Sequence, residues 1–179
     1  MAVTVPVHRL SVDDVFRMVQ AGVLDEDDRV ELVEGVLVEM VPIGAEHDGA
    51  VAWLTRHFGS AASDAWEVRI QSTLLIAGGY LLPDLLLVEP LPRSAQPTSA
   101  LVVVEVAQTS LVRDREKVRD YAAAGVPDYW IVDLSGRPVE VHRGPVSGVY
   151  EEITTFKDGQ AVVPLAAGAP VVEVSDLLG

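Results

Sequence analysis

Two acidic residues stand where a charge is costly in a folded protein. Asp84 directly precedes the apolar run Leu85–Val88, and Glu105 lies within the sequence Leu-Val-Val-Val-Glu-Val at 101–106. An ionised carboxylate within an apolar strand is strongly destabilising unless a cation or a metal compensates it. The alternatives are that Asp84 is a turn residue after Pro83 and that Glu105 marks the solvated end of its strand. If the two strands are neighbours, both carboxylates meet at one edge and offer the oxygen ligands that Mg²⁺ or Mn²⁺ prefers.

A lysine in the following helical segment is the third candidate. Lys117 borders the apolar stripe of this segment, and it is one of two lysines in a chain with 11 arginines. A compact ammonium can contact a water molecule at a metal, which the planar guanidinium of arginine does poorly. The alternative is a solvated lysine balanced by Asp114 and Asp120, each three positions away. Glu34, in a predicted hairpin turn, is either a further carboxylate of the site or an ordinary turn residue.

The hydrophobic patterns predict an α/β or α+β fold, with helices packed on a mixed sheet. A capping box at Ser11 predicts a short first helix, and the residues around Glu34-Gly35 predict a β-hairpin. The other predicted elements are hairpin strands at 29–33 and 36–41, a helix from Glu46 to about Ala62, strands at 66–70, 73–76, 85–88, 101–106, 129–133, 139–143 and 150–156, a turn at Gly78-Gly79, and a helix at 111–124. The strands at 101–106 and 129–133, with the helix between them, form a β-α-β unit with a parallel crossover.

The composition limits the class of protein. The chain has 179 residues, 49% of them hydrophobic, which predicts one folded domain spanning residues 1–179. It contains no cysteine, which excludes disulfides, thiolate catalysis and zinc sites that need sulfur. No apolar run reaches the length of a membrane span and no signal pattern begins the chain, so we expect a cytoplasmic protein with no membrane partner. The net charge of −14 opposes polyanion binding, and any DNA-binding function must account for it.

An ordered series of motifs resembles a known protein family. The series consists of Pro83-Asp84, Val104-Glu105-Val106, Asp114-Arg115-Glu116-Lys117 and Tyr121-Ala-Ala-Ala-Gly-Val-Pro-Asp-Tyr-Trp-Ile-Val-Asp133. The likeness extends from about Leu10 to the C-terminus and includes the hairpin segment 30–40 and the segment from Pro42 to His47. In these features the chain resembles the Uma-two family, bacterial proteins classed as restriction endonucleases with the PD-(D/E)-x-K nuclease fold.

The resemblance implies a metal-dependent phosphodiesterase that acts on DNA, with a restriction-endonuclease-like mixed central sheet flanked by helices. By analogy, Asp84 and Glu105 bind Mg²⁺ or Mn²⁺, and the backbone carbonyl of Val106 is a further ligand. Lys117 orients or activates the attacking water and offsets charge in the transition state. Glu34 is an accessory acid near the metal.

Other positions near these motifs are weaker candidates. The broader nuclease pattern has its lysine two residues after the Glu, where this chain has Ala107, and the family supplies the lysine from the following helix as Lys117. His47 matches a family position, and is either an accessory residue or a structural one. Tyr121 is an accessory candidate whose simpler interpretation is a core residue between helix and sheet. Gln71 faces the site only if the strand at 66–70 neighbours the strand at 85–88.

Three hypotheses about function remain open. The first is a Mg²⁺-dependent endonuclease that binds DNA through a local basic strip, a homodimer or a separate targeting partner. The second is a binding or regulatory module that keeps the fold without useful turnover. The third is a metal-dependent hydrolase of a small phosphodiester, for which the net negative charge is a smaller obstacle. Phosphate-binding and nucleophile-elbow motifs of other enzyme classes are absent from the sequence.

Overall fold

The computed structural model of this chain describes residues 7–25, 27–40, 44–61 and 64–179. In chain order, the helices and strands are α1 (Val12–Gln20), β1 (Val30–Val33), β2 (Val36–Glu39), α2 (Ala45–Gly59), β3 (Glu67–Ile70), β4 (Leu74–Ile76), β5 (Gly79–Leu81), β6 (Leu85–Val88), β7 (Val102–Ala107), α3 (Leu111–Glu116), α4 (Val118–Ala123), β8 (Asp128–Asp133), β9 (Val139–Val146), β10 (Val149–Phe156), β11 (Ala161–Val162), β12 (Val172–Glu173) and α5 (Val174–Leu178). Val41 and Ala62, the predicted ends of the hairpin and of the second helix, lie outside the described residues. Within the described ranges, no helix has the length and apolar character needed to cross a membrane.

Six strands form the central mixed sheet, in the order β10-β9-β8-β7-β6-β3. β7 and β8 run parallel, with Val103 opposite Tyr129 and Ala107 opposite Asp133, and the other neighbours in this sheet are antiparallel. The parallel pair is joined through α3 and α4, because a parallel connection has to cross over the sheet. The predicted fold class, a mixed central sheet flanked by helices, is therefore confirmed.

The central strands β6 and β7 are buried on both faces, as their nearly unbroken apolar sequences predict. On one face Leu85 belongs to the core cluster that contains Leu54 and Phe58 of α2. On the other face Leu86 belongs to the cluster that contains Tyr121 of α4. Helix α2 therefore packs on one face of this strand pair, and helix α4 packs on the other.

A second, four-stranded antiparallel sheet has the order β2-β1-β5-β4 and carries the predicted hairpin. The turn predicted at Gly78-Gly79 is shifted by one residue, because Gly79 pairs with Ile76 and begins β5. A Cβ atom at Gly79 would lie 1.7 Å from the carbonyl oxygen of Leu32, so only glycine allows this approach of β5 to β1.

The predicted helix at 111–124 is interrupted at Lys117. α3 ends at Glu116 and α4 begins at Val118, and Lys117 between them has φ −67° and ψ −15°. Backbone hydrogen bonds continue through this point: the Lys117 N–H donates to the Arg113 carbonyl at 3.1 Å, and the Tyr121 N–H donates to the Lys117 carbonyl at 3.0 Å. The interruption is thus confined to one residue, the buried lysine.

We expect Gly79→Ala to destabilise the protein by about 2 kcal/mol or more, because the added methyl group collides with the backbone of β1. Gly49→Ala is the matched control, since no atom lies within 4 Å of a Cβ at this position in α2. There the same change should stabilise the protein by about 0.5–1 kcal/mol, because alanine favours the helix. Urea unfolding of both variants measures the difference, and equal effects would contradict the proposed close approach of β5 and β1.

Candidate active site

A small cavity lies where β6 begins and β7 nears its end. Its volume is about 60 Å³, which holds an ion and a few water molecules. Its walls come from the open end of the hairpin, the first turn of α2, the loop at 108–110 and the α3–α4 segment. β6 and β7 are antiparallel, and Leu85 pairs with Val104. Asp84, which precedes Leu85, therefore lies opposite Glu105, which follows Val104. The structure therefore brings these two acids to the same cavity.

The Asp84 carboxylate is held by two neighbours through one oxygen. Asp84 is 6% exposed, its Oδ2 accepts the backbone N–H of Val106 at 2.9 Å, and His47 Nε2 lies 3.0 Å from the same oxygen. Since a carboxylate only accepts, His47 donates from Nε2, and its buried Nδ1 has no partner among the described residues. Oδ1 of Asp84 has no hydrogen-bond partner within the described ranges either, so it is the oxygen available to a ligand.

The Glu105 carboxylate is almost fully buried and also binds its partners through one oxygen. Its Oε1 accepts from Lys117 Nζ at 2.9 Å and from the Tyr121 hydroxyl at 2.7 Å. Burial raises the pKa of Glu105 to about 8, which Lys117 opposes and the nearby carboxylate of Asp84 reinforces. Burial also raises the pKa of Tyr121 well above its usual value, so its hydroxyl remains a donor. Tyr121 thus both packs in the core and contacts the site.

The Lys117 ammonium joins the two sheets. Its Nζ donates to Glu105 Oε1 and to Glu31 Oε1, both at 2.9 Å, and lies 4.0 Å from Asp114 Oδ1. Burial disfavours the charged form, but Glu105 and Glu31 raise the pKa of Lys117 above its usual value. Lys117 is therefore a charged donor. An ammonium has three N–H bonds, and two of them serve these carboxylates, which leaves one to point to a further acceptor.

Glu31 is a site residue that the sequence analysis missed. It is fully buried in β1, and its Oε1 accepts the Leu82 N–H at 3.1 Å in addition to Lys117. Its Oε2 accepts from Arg113, whose guanidinium also donates to the Glu39 carbonyl at 2.5 Å. The signal in the sequence was the one used for Glu105, an acid enclosed by apolar strand residues, here Val-Glu-Leu-Val at 30–33.

The structure does not bring Glu34 or Gln71 into the cavity. The Glu34 side chain is 66% exposed at the hairpin turn, with Arg119 at 4.0 Å as its ionic neighbour. It lies in the hairpin turn, with a φ of +48°, and it does not line the cavity. β3 does neighbour β6, the condition set for Gln71, but Gln71 contacts the site only through its backbone N–H, which donates to the Asp84 carbonyl at 3.2 Å.

Each cation of the densest basic stretch has an acidic neighbour in the protein itself. Arg113 pairs with Glu31, Arg115 Nε donates to Glu140 of β9 at 3.1 Å, and Lys117 pairs as described above. Arg119 lies 4.0 Å from Glu34. Arg113 and Lys117 therefore connect the α3–α4 segment to the second sheet, whereas the side chains of Arg115 and Arg119 remain 51% and 77% exposed.

Comparison with known proteins identifies the family. The model of the Uma2 family, described as "Putative restriction endonuclease", matches residues 12–173. The chain belongs to the Uma-two family. A crystal structure of a nuclease described as putative, from Anabaena variabilis, superposes with a TM-score of 0.77 at 15% identity and covers 94% of this chain and 97% of that chain. At this identity the match shows a shared fold. No curated protein sequence matches this chain.

The donor set of this Uma-two protein fits a hard divalent cation held by few protein ligands. In the described part of the chain, no group of three or more His, Cys, Asp or Glu side chains has the arrangement of a metal site. Mg²⁺ commonly uses one or two carboxylates, water and substrate phosphate, so the free oxygens of Asp84 and Glu105 are a sufficient protein contribution. The acids that surround Lys117 and Arg113 outnumber these two cations: Glu31, Asp84, Glu105 and Asp114. An added cation would offset this excess.

The raised pKa of Glu105 predicts how the stability of this Uma-two protein changes with pH. Below its ordinary pKa of 4.5, the carboxyl is protonated in the folded and the unfolded chain. Between pH 4.5 and about 8, the folded chain keeps a proton that the unfolded chain releases. The contribution of this group to stability therefore falls as pH rises, by about 1.4 kcal/mol per pH unit at most, and is lost above pH 8.

Glu105→Gln removes this titration, so its free energy of unfolding should rise relative to that of the wild type as the pH increases through this window. Urea unfolding in EDTA at a series of pH values measures the difference. Glu152→Gln, an exposed acid on β10, is the control and should run parallel to the wild type. Parallel curves for Glu105→Gln would contradict a raised pKa at this residue.

Proposed function

We propose that this protein is an endonuclease that hydrolyses DNA phosphodiester bonds with Mg²⁺ or Mn²⁺. The observation that carries the proposal is the charged Lys117 ammonium, held 2.9 Å from Glu105 Oε1 in the cavity that Asp84 also lines. Two carboxylates and one ammonium around a cavity that holds an ion and a few water molecules are the groups that phosphodiester hydrolysis needs. The Uma-two family membership supports the same reaction class.

In this proposal Asp84 and Glu105 would hold the metal, and the Val106 carbonyl would be a further ligand. When bound, the cation lowers the pKa of a water molecule and offsets the negative charge that develops on the phosphate. Val106 also keeps Asp84 in place, because its N–H binds Oδ2 and leaves Oδ1 free for this task. Tyr121 does the same for Glu105 by donating to Oε1.

Lys117 has the role of orienting the attacking water or of stabilising charge on a phosphate oxygen. Glu31 and Glu105 fix two of its three N–H bonds, so the third has a defined direction before substrate arrives. Such a preorganised donor acts more strongly in a buried site than in water. Glu31 is therefore a positioning residue for Lys117, and it replaces Glu34 as the acid that the hairpin contributes.

We expect Asp84→Asn, Glu105→Gln and Lys117→Met each to lower Mg²⁺- or Mn²⁺-dependent nicking of plasmid DNA by about 10² or more. Because Lys117→Met leaves Glu31 without its cation, the double variant Lys117→Met/Glu31→Gln keeps the buried charges balanced. Lys157→Met and Asp158→Asn, at exposed positions, are the controls and should cut at the wild-type rate. Supercoiled plasmid that stays intact with wild-type protein in both metals would contradict the proposal.

A metal-dependent hydrolase of a small phosphodiester is the second candidate. It is favoured by the pairing of Arg113 and Lys117 with buried acids, since these two cations are not free to bind a duplex. DNA binding in the first candidate accordingly requires a homodimer, a separate targeting partner or a few cations elsewhere. Turnover of bis(p-nitrophenyl) phosphate that excess DNA does not inhibit would support the small substrate, and competitive inhibition by DNA would support the nuclease.

A non-catalytic binding module is the outcome if neither substrate is cleaved. In that case, Glu105→Gln should leave partner capture unchanged, because the buried carboxyl offers no surface to a protein partner. The intact arrangement of Asp84, Glu105 and Lys117 favours catalysis over this alternative. Nothing in a purely binding role requires a buried ammonium beside two acids, and burying charges is costly.

A further inference from the structure

Most of the cationic side chains of this protein are already occupied by its own acids and carbonyl groups. Seven of the 13 are in ion pairs: Arg17, Arg69, Arg113, Arg115, Lys117, Arg119 and Arg143. Arg9 and Arg137 donate to backbone carbonyls. The remaining four, which have no such partner among the described residues, are Arg29, Arg56, Arg93 and Lys157.

Of these four, Arg29 alone lines the cavity that contains Asp84 and Glu105. Its backbone is fixed, because the Met40 N–H donates to the Arg29 carbonyl at 2.9 Å and continues the hairpin ladder beyond β1. Its guanidinium makes no hydrogen bond or ion pair with any residue that the structure describes. A partly buried arginine with a fixed backbone, whose five N–H donors have no partner within the described ranges, is suited to bind an anion.

The strand geometry places Arg29 on the same face of the hairpin as Glu31. Residues i and i+2 lie on the same face of a strand, so Arg29 shares its face with Glu31, about 7 Å away along the chain. Glu31 in turn contacts Lys117 and Arg113, which both line the cavity. The Arg113 guanidinium already donates to Glu31 and to the Glu39 carbonyl, so it has fewer N–H donors left for a ligand. Arg29 is therefore the cavity cation whose whole guanidinium has no partner among the described residues.

We propose that Arg29 binds a phosphate group of the substrate at the mouth of this cavity. Two oxygens of a phosphate accept parallel N–H bonds from a guanidinium, which fixes both the position and the orientation of the group. This contact adds a positive charge to a cavity in which Arg113 and Lys117 are already paired with acids, in a chain of net charge −14. The inference rests on the proposed function, since it assigns the residue that holds the phosphodiester for it.

The test compares Arg29→Ala and Arg29→Lys with Arg93→Ala, an exposed arginine outside the cavity. The probe is a short fluorescein-labelled DNA duplex, whose affinity is measured by anisotropy in Ca²⁺ at several salt concentrations, with KM and kcat measured in Mg²⁺. Arg29→Ala should weaken binding about tenfold or more, and raise KM more than it lowers kcat. It should also reduce the slope of log K against log salt concentration by about one.

The other variants separate a specific contact from general charge. Arg29→Lys should keep the salt slope and recover only part of the affinity, because an ammonium retains the charge and loses the paired donors. Arg93→Ala should bind as the wild type does. All variants should unfold at the wild-type denaturant midpoint, since neither arginine side chain has a partner among the described residues.

Each outcome bears on the inference and on the function separately. If the wild type cuts DNA, and Arg29→Ala binds and cuts equally well, the phosphate contact is wrong and the nuclease function stands. If Arg93→Ala lowers affinity and salt slope as much as Arg29→Ala, the effect belongs to net charge and the contact is again wrong. If the wild type neither binds nor cuts DNA, the nuclease function is wrong and the Arg29 inference falls with it.

Discussion

The ammonium of Lys117, buried between Glu31 and Glu105 at 2.9 Å from each, is the interaction on which the site depends. A buried charge is stable only when its partners are in place, and removing one partner of such a group costs about 3–5 kcal/mol. Its three participants come from β1, from β7 and from the junction of α3 and α4. The same contact therefore holds the second sheet, the central sheet and the crossover helices together. The arrangement of the cavity is a consequence of this network.

The second sheet supplies the far end of this network. Glu31 needs donors on both of its oxygens, and it obtains them from Lys117, Arg113 and the backbone N–H of Leu82. Leu82 directly follows β5, so its N–H reaches Glu31 only because β5 pairs with β1 at close range. Gly79 is the residue that permits this approach. Gly79 lies outside the cavity, but the close approach of β5 to β1 that it permits brings the Leu82 N–H to Glu31. Glu31 in turn orients the ammonium of Lys117.

The central sheet was predictable because its signals are local. Unbroken apolar runs mark β6 and β7, and the spacing of strand, helix and strand requires a parallel crossover. Asp84 and Glu105 stood out as charges in apolar segments, whereas Glu31 was missed because Val-Glu-Leu-Val also fits an alternating strand with a solvated acid. Which face of that hairpin is covered depends on β5 and α3, which are distant in sequence. The short strands β5, β11 and β12 have two or three residues, too few for any periodicity to appear.

The clustered cations of the α3–α4 segment act as structural clamps. Arg113 reaches β1 and Arg115 reaches β9, so part of a segment that resembles a phosphate-binding strip in the sequence connects the crossover to both sheets, whereas Arg119 remains 77% exposed. In a chain with 27 acids and 13 cations, a cation that pairs with a buried acid, as Arg113 does with Glu31, is not available to an anionic ligand. Nucleic-acid affinity normally arises from many such surface cations acting together. A substrate bound here has to rely instead on a few strong contacts at the cavity, where a divalent cation between Asp84 and Glu105 would be the largest local positive charge.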